Sequence, residues 1–152
     1  MTLPENQPQL SRDLNNLALL YYEQGDHQVA EPLLLQAIKI DKITLPEKHP
    51  QLARHLNNLA GLYKSQGKHE EAEPLYLQAI EINKIALPEN DPLLATNLNN
   101  LALLYESQGK HEAAEPLYLQ AIEIFKQSLG EEHPNTKTVL ENYHGQEERN
   151  NH

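Results

Sequence analysis

The chain has 152 residues, no cysteine and a formal net charge of -10, from 22 acidic and 12 basic residues. The length suits one domain, and the lack of cysteine excludes disulfides, thiolate metal sites and a cysteine nucleophile. The acidic balance argues against nucleic acid and an anionic membrane surface as partners, because both attract basic residues. No apolar run approaches the roughly 20 residues that span a bilayer, and no secretory leader pattern follows Met1, so we expect a cytoplasmic protein.

The sequence repeats itself with a period of 42 residues and without gaps. Residues 2–43 and 44–85 agree at 29 of 42 positions, and residues 44–85 and 86–127 agree at 31 of 42. Residues 128–143 follow the opening of a fourth copy. A period of about 20 to 50 residues indicates stacked structural repeats. We therefore predict three repeats, a closing helix over residues 128–143, and a disordered polar tail over residues 144–152.

Each copy has the pattern of two helices joined by a tight turn. Proline favours the first position of a helix, which predicts a helix start at Pro8, Pro50, Pro92 and Pro134. A glycine after the first apolar helical pattern predicts a left-handed stop at Gly25, Gly67 and Gly109. No stretch has the strict alternation of a strand. The sequence therefore predicts an all-α chain of seven helices, in three hairpins plus one closing helix.

One proline in each copy disagrees with a regular second helix. Pro32, Pro74 and Pro116 fall about five residues after the predicted helix start near His69 and its equivalents. An interior proline removes one backbone hydrogen bond and can kink a helix. Two outcomes stay open: the helix begins later, or its first turn is irregular.

The apolar residues of each copy follow a known pattern, which in the second copy consists of Leu56, Leu59-Ala60, Tyr63, Ala72 and Tyr76. The chain resembles the tetratricopeptide repeat family, with leucine in place of its usual tryptophan and alanine in place of its glycine. The 42-residue period, with the segments HP, LNNLA and AIEI, is similar to the repeats of kinesin light chain. The resemblance implies an α-α superhelix (solenoid) of three 42-residue helix-turn-helix repeats plus a C-terminal capping helix.

Paired asparagines recur on the first helix of each copy at Asn15-Asn16, Asn57-Asn58 and Asn99-Asn100. In the family that the chain resembles, the first helices line a concave groove. The resemblance implies that the second asparagine of each pair, Asn16, Asn58 or Asn100, holds the backbone of an extended peptide, because an amide both donates and accepts. Hydrogen bonding between repeats and plain solvation are the alternatives.

A pocket for a ligand side chain is the second candidate feature of the groove. Gly61 stands where the other copies have Leu19 and Leu103. A glycine inside a helix is less favourable than alanine by about 1 kcal/mol, so an opening between the two leucines is one reason for its presence. Drift between duplicated copies explains it equally well. Tyr22 is expected beside these residues and would help to select the ligand's side chains.

A basic set is the third candidate feature, formed by Arg12, Arg54 and Lys64. The resemblance implies an acidic peptide as its ligand, since the groove of kinesin light chain receives acidic cargo motifs. Thr96 replaces the arginine in the third copy. The alternative is an ordinary solvated helix face.

No catalytic motif is present, so we expect no enzyme activity and no cofactor. His27, His69 and His111 each precede a glutamate by four residues, a spacing that places both side chains on one helical face. Two ligands do not complete a metal site. Packing at the hairpin is therefore the expected role of these histidines, and no metal is predicted.

Two functions remain from the sequence. The preferred one is a non-enzymatic scaffold that binds a peptide segment of a partner protein in the concave groove. The alternative is a self-associating structural array or homodimer through an uncapped N-terminal repeat, where residues such as Leu14, Leu17, Tyr21 and Leu33 would meet a second molecule.

Overall fold

The computed structural model describes residues 7–150, with side chains to residue 149. Within that range the chain forms seven α-helices and no strand, which confirms the predicted fold class. The helices are α1 (Gln7–Glu23), α2 (His27–Thr44), α3 (Pro50–Ser65), α4 (His69–Ala86), α5 (Pro92–Ser107), α6 (His111–Leu129) and α7 (Pro134–Asn150).

The start of each first helix is fixed by a proline and the residue before it. Helices α3, α5 and α7 begin at their predicted prolines. The Asp91 carboxylate accepts a hydrogen bond from the Leu93 backbone N–H at 2.9 Å, as expected of an N-cap. The imidazoles of His49 and His133 take the same role through Nδ1. Backbone N–H groups that the helix itself leaves unpaired are thereby satisfied.

The turns between paired helices use glycine in the left-handed region, as predicted. Gly25, Gly67 and Gly109 have φ angles of 81°, 78° and 77°. Because glycine has no Cβ, it adopts this conformation without the steric penalty that other residues pay. Each turn therefore ends the first helix sharply and starts the second after two or fewer further residues.

The second helices begin early and contain their prolines. Helices α2, α4 and α6 start at His27, His69 and His111, and the proline is the sixth residue of each. The three prolines, Pro32, Pro74 and Pro116, are all exposed. Water can therefore bind the backbone carbonyl that the missing N–H leaves unpaired, which explains why the helix tolerates the residue.

The described residues divide into two compact units, one ending at residue 82 and the other beginning at residue 83. The first unit has a buried cluster in which α1, α2, α3 and residues 69–82 of α4 meet. Its members are Ala18, Ala30, Leu34, Ile38, Ala53, Leu56, Leu59, Leu62, Ala79 and Ile82. In the second unit, α6 packs against α5 and against α7. Alanine and leucine dominate both interiors. Alanine lets neighbouring helices approach closely, and leucine fills the space between them.

The C-terminal segment differs from the expected disordered tail. Helix α7 continues to Asn150, whereas the sequence predicted disorder from residue 144 onward; residues 151–152 and 1–6 lie outside the described residues. The side chain of Gln146 is 1% exposed and donates to the His111 carbonyl at 2.7 Å. Arg149 pairs with Glu106. These contacts hold a polar sequence in a helix that its composition alone does not favour.

Candidate protein-binding surface

All predicted groove residues lie on the first helices α1, α3 and α5. Four of them are exposed: Arg12, Asn16, Arg54 and Thr96. Nine are half-buried: Leu19, Tyr22, Asn57, Asn58, Gly61, Lys64, Asn99, Asn100 and Leu103. Asn15 alone among them is buried, with 1% of its surface exposed.

The asparagines of neighbouring copies bond to one another within the first unit. The Asn58 side-chain amide donates to Asn15 Oδ1 at 2.9 Å, across two first helices that are 43 residues apart in sequence. Asn58 uses one of its two N–H groups in this bond, and its side chain stays half-buried at the surface. Asn15 is therefore part of the packing, while Asn58 has hydrogen-bonding capacity left.

The same pairing occurs within the second unit. The Asn142 side-chain amide donates to Asn99 Oδ1 at 3.3 Å. Asn142 was not among the predicted site residues, although it follows Asn100 by one full period. Its position in the repeat register could therefore have identified it from the sequence.

A tyrosine hydroxyl lies beneath Gly61. A Cβ added to Gly61 would lie 3.7 Å from Tyr76 Oη. Burial and the neighbouring Tyr22 raise the pKa of Tyr76 to about 12, so its hydroxyl stays protonated at neutral pH. Leu19 and Leu103 carry full side chains at this position of the other copies. Tyr76 is 3% exposed, so its hydroxyl lies under the position that the leucine side chains occupy in the other copies.

All three copies differ at the position of Lys64, which is Tyr22 in the first copy and Glu106 in the third. Burial lowers the pKa of Lys64, and no ion pair of this residue exists within the described part of the chain. Glu106 instead accepts a hydrogen bond from the Tyr118 hydroxyl and pairs with Arg149. The second copy therefore offers a cation where the third has an internally paired anion.

The remaining predicted residues make local contacts. Arg12 donates to Gln9 Oε1 at 2.6 Å, and Gln9 donates to Asp13 at 2.8 Å, all at the exposed surface of α1. The Thr96 hydroxyl donates to the Pro92 carbonyl at 3.2 Å. Arg54 is exposed on α3. The structure thus places Arg12, Arg54 and Lys64 on first helices, but Lys64 is the half-buried member.

A buried polar cluster joins α1, α2 and α3 and was not foreseen from the sequence. Asp41 accepts hydrogen bonds from Ser11 at 2.5 Å and Gln51 at 3.0 Å, and its second oxygen contacts His55 Nδ1. The Asp41 and His55 side chains are fully buried. Because Ser11 donates to the carboxylate and not to the imidazole, the three residues lack the relay that a serine nucleophile needs. The cluster is a junction between helices.

The equivalent place in the second unit has a neutral pair. The Asn83 amide donates to Asn97 Oδ1, and both side chains are buried. Asn83 and Asn97 stand one period after Asp41 and His55. This pair makes one hydrogen bond between neutral groups, and Asn83 Oδ1 is buried without a partner among the described residues. Because no charge is buried, the junction does not need the several donors that surround Asp41.

The first of the periodic histidines packs at its hairpin. Tyr22 stacks on His27, with ring centroids 5.2 Å apart and an angle of 14° between the ring planes. Over the residues that the structure describes, no group of three or more potential ligands is placed to hold a metal ion. No helix in this part of the chain has the length and hydrophobicity of a membrane span.

Solved structures of similar proteins share this fold. A protein of Podosopora anserina assigned as a kinesin light chain with nearly identical TPR-like repeats is 28% identical and has a TM-score of 0.86, covering 99% of this chain and 70% of that chain. BtubC (BKLC) of P. vanneervenii is 28% identical and has a TM-score of 0.82, covering 94% of this chain and 56% of that chain. The chain thus spans between 56% and 70% of the length of these two solved chains.

None of the curated proteins matches the chain significantly. The family model of the tetratricopeptide repeat matches residues 10–85 and 93–143, which together are most of the sequence. This repeat mediates protein–protein interaction and is typically a non-catalytic scaffold. The chain therefore belongs to the tetratricopeptide repeat family.

Proposed function

We propose that the chain is a non-enzymatic scaffold that binds a peptide segment of a partner protein along its first helices. Family membership supports a protein partner, and solvent reaches the half-buried residues of α3 that carry the proposal: Asn58, Gly61 and Lys64. Helix α3 belongs to the first unit, so this unit by itself offers amide, apolar and cationic contacts.

Lys64 is the observation that carries the proposal. A partly desolvated ammonium group is unfavourable without a counter-ion, and burial lowers the pKa of Lys64 accordingly. A carboxylate from a ligand would supply that counter-ion and restore the usual pKa. The proposed ligand is therefore an acidic peptide, with one carboxylate directed to Lys64.

Neighbouring groups on α3 complete the proposed contacts. Asn58 is held in place by its bond to Asn15 and has one N–H and its carbonyl oxygen for a peptide backbone. Gly61 leaves room for a ligand side chain, which can reach the Tyr76 hydroxyl. A rigid amide and an open position beside it lower the ordering cost of binding.

The test is an array of immobilised peptides of about 12 residues, acidic and neutral, probed with the full chain. Acidic peptides that bind are measured again in solution against wild type and Lys64→Glu, which installs the residue of the third copy. We expect at least tenfold weaker binding by the variant, because a carboxylate would then face a carboxylate.

Lys39→Glu is the matched control, since Lys39 is an exposed lysine on α2 and the change in net charge is identical. It should leave affinity within about twofold at 150 mM salt, where long-range charge effects are screened. An equal loss of affinity in both variants would show that only the net charge of the protein matters. No loss of affinity in either variant would show that Lys64 does not bind the peptide's carboxylate.

Association through α1 is the second candidate function. Leu17 and Leu20 are 43% and 57% exposed. Their exposure favours a partner at the end of the first repeat, as predicted for a homodimer. Light scattering over a hundredfold concentration range would detect a homodimer, and Leu20→Glu should return such a dimer to a mass of about 17.3 kDa.

A further inference from the structure

A buried carboxylate on α5 takes its counter-ion from α7. Glu106 is the residue before the last of α5, and its side chain is 10% exposed. One carboxylate oxygen accepts a hydrogen bond from the Tyr118 hydroxyl, and the other pairs with the Arg149 guanidinium. Among the described residues, no other cation forms an ion pair with Glu106. A carboxylate removed from water to this degree is unfavourable without such a partner.

The two members of this ion pair differ in their contact with solvent. The Arg149 side chain is 57% exposed, whereas that of Glu106 is 10% exposed. The guanidinium therefore keeps much of its hydration, and an ion pair of an exposed cation is weak because water competes for it. Glu106 and Tyr118 belong to α5 and α6, which pack directly against one another. The anion is thus fixed by the helix pair, while the cation is exchangeable.

The fold of a repeat does not require this ion pair. Ser65 and Ser107 occupy the place of Arg149 in the two preceding copies, and each hydroxyl donates to a carbonyl of its own helix. The place of Glu106 has a tyrosine in the first copy and a lysine in the second. Those copies form the same helices without a carboxylate and a guanidinium at these places. The pair is therefore a feature of the third repeat and α7 alone.

A glycine on α7 leaves room for the guanidinium. A Cβ added to Gly145 would lie between 3.5 and 3.9 Å from three guanidinium atoms of Arg149. The preceding copy has Leu103 at this place, and a leucine side chain would take the space that the guanidinium occupies. The cation therefore lies over Gly145, from where it reaches Glu106 on α5.

We propose that Glu106 and Tyr118 form a binding site for a guanidinium group, which Arg149 occupies in the free chain and an arginine of a partner protein occupies in the complex. A guanidinium suits the site because its planar fork offers several N–H donors to a carboxylate. The site lies in the second unit and takes a charge opposite to that of the ligand at Lys64. It therefore goes beyond the acidic-peptide proposal and does not depend on it.

Exchange of one arginine for the other would loosen the end of α7. Two polar contacts join α7 beyond residue 143 to the α5–α6 pair: Gln146 to the His111 carbonyl at 2.7 Å, and Arg149 to Glu106. A partner's arginine takes the second contact directly. We therefore expect the last turn of α7 to exchange its amide protons faster in the complex, a signal that binding elsewhere on the chain does not produce.

The test uses the full chain and a short blocked peptide with one arginine among glycines. Binding is followed by NMR through the backbone amide signals of Glu106 and Tyr118. Arg149→Ala should bind this peptide about tenfold more tightly than wild type, because the tethered arginine no longer competes for the carboxylate. The same peptide with citrulline in place of arginine keeps the shape and loses the charge, so it should not bind.

Lys137→Ala is the matched control for net charge. Lys137 is an exposed cation on α7, and its ion pair with Glu132 lies at the surface. The variant loses the same charge as Arg149→Ala and should bind the arginine peptide like wild type. Glu106→Gln added to Arg149→Ala should abolish binding. It buries no charge, and a glutamine oxygen can still accept from Tyr118, so this double variant should fold.

Wild type gives a second measurement that needs no variant. At a peptide concentration that saturates the NMR shifts, amide exchange should accelerate over residues 146–149 and stay unchanged in α5 and α6. This measurement decides the question if Arg149→Ala does not fold.

Four results would overturn the proposal. They are no binding of the arginine peptide, equal affinity of wild type and Arg149→Ala, binding that survives Glu106→Gln, or equal binding of the citrulline peptide. Saturation of wild type without faster exchange at the end of α7 would also contradict it. Lys64→Glu should not change binding of the arginine peptide, so failure here leaves the acidic-peptide proposal to its own experiment.

Discussion

Two buried junctions at equivalent positions are built from different chemistry. In the first unit, Asp41 and His55 join α2 to α3, and Ser11 and Gln51 add donors to the same carboxylate. In the second unit, two amides of Asn83 and Asn97 join the end of α4 to α5. A third equivalent pair, Phe125 and Val139, is apolar and buried.

The difference shows that the repeat fold fixes the position of a contact and leaves its chemistry open. A buried carboxylate is unfavourable unless several donors surround it. The first unit therefore needs Ser11 and Gln51, whose equivalents one period later are Ala53 and Leu93. Two neutral amides bury no charge and fold without either donor. The first unit should consequently be more sensitive to mutation and to acid.

The largest effect is expected from Asp41→Ala. The change leaves the buried His55 without its acceptor, while Ser11 and Gln51 keep the Pro8 carbonyl as an acceptor. Breaking a buried polar pair of this kind destabilises by about 3 kcal/mol or more. Asn83→Ala, the matched variant of the second unit, removes one neutral bond and should destabilise by about 1 to 2 kcal/mol. Urea unfolding followed by circular dichroism, with amide exchange in α3 and α5, measures both. Equal losses would contradict the comparison.

The double variant Asp41→Asn, His55→Asn tests whether the two chemistries are interchangeable. It installs the amide pair of the second unit, and Ser11 and Gln51 can still donate to the new carbonyl oxygen. We expect it to recover at least half of the stability that Asp41→Ala loses. A double variant as unstable as Asp41→Ala would mean that the junction requires the carboxylate itself.

Acid should affect the first junction selectively. Burial by itself raises the pKa of Asp41, but hydrogen bonds from His55, Ser11 and Gln51 outweigh it and lower that pKa below its ordinary value. Because the folded pKa lies below the unfolded value of about 4, the stabilisation is complete above that value and is lost as pH falls through the folded pKa.

The measurement is amide exchange in α2 and α3 between about pH 3 and pH 7, compared with unfolding by urea at the same pH values. Wild type should lose more stability below about pH 4 than the double asparagine variant, which has no carboxylate at this position. Parallel pH profiles for the two proteins would show that Asp41 does not control the acid response.

A smaller effect is expected from the surface asparagines. Asn58→Ala removes the 2.9 Å bond to the buried Asn15, which should destabilise by about 1 kcal/mol, partly offset by the better helix propensity of alanine. Asn142→Ala removes the longer 3.3 Å bond to Asn99 and should cost less. Thermal unfolding of both variants compares the two units, and a larger loss for Asn142→Ala would reverse the expected order.

The smallest effect is a gain. Gly61→Ala should stabilise by up to about 1 kcal/mol through helix propensity, since the new Cβ meets Tyr76 Oη at an ordinary 3.7 Å. Gly145→Ala, at the equivalent position of α7, places its Cβ 3.5 Å from the Arg149 guanidinium and should gain about as much. A melting temperature that falls only for Gly61→Ala would show that the space over Gly61 is already required within the fold.

Much of the fold was predictable because it follows from local rules. Proline at Pro50 and Pro92 and glycine at Gly67 and Gly109 set helix ends within one or two residues, and the structure confirms each. The continuation of α7 past residue 143 was less predictable. The segment after residue 143 is polar, and the contact of Gln146 with the His111 carbonyl depends on a residue 35 positions away.

The candidate site was likewise predictable only in part. The register identified Asn58, Gly61 and Lys64 as one face of α3, since residues three and four apart share a helical side. It did not reveal that Asn58 bonds to Asn15, that Tyr76 lies beneath Gly61, or that Lys64 is half-buried. Each of these depends on a second helix whose approach the sequence pattern does not specify.

The sequence by itself determined the repeat period, the seven helices and the turns between them, because helix ends and amphipathic spacing depend on residues within about four positions. Only the tertiary structure decided which polar residues are buried and what satisfies them. Asp41 is an ordinary acidic residue in the sequence. It becomes a junction because packing brings Ser11, 30 residues earlier, and His55, 14 residues later, to a carboxylate that water no longer reaches.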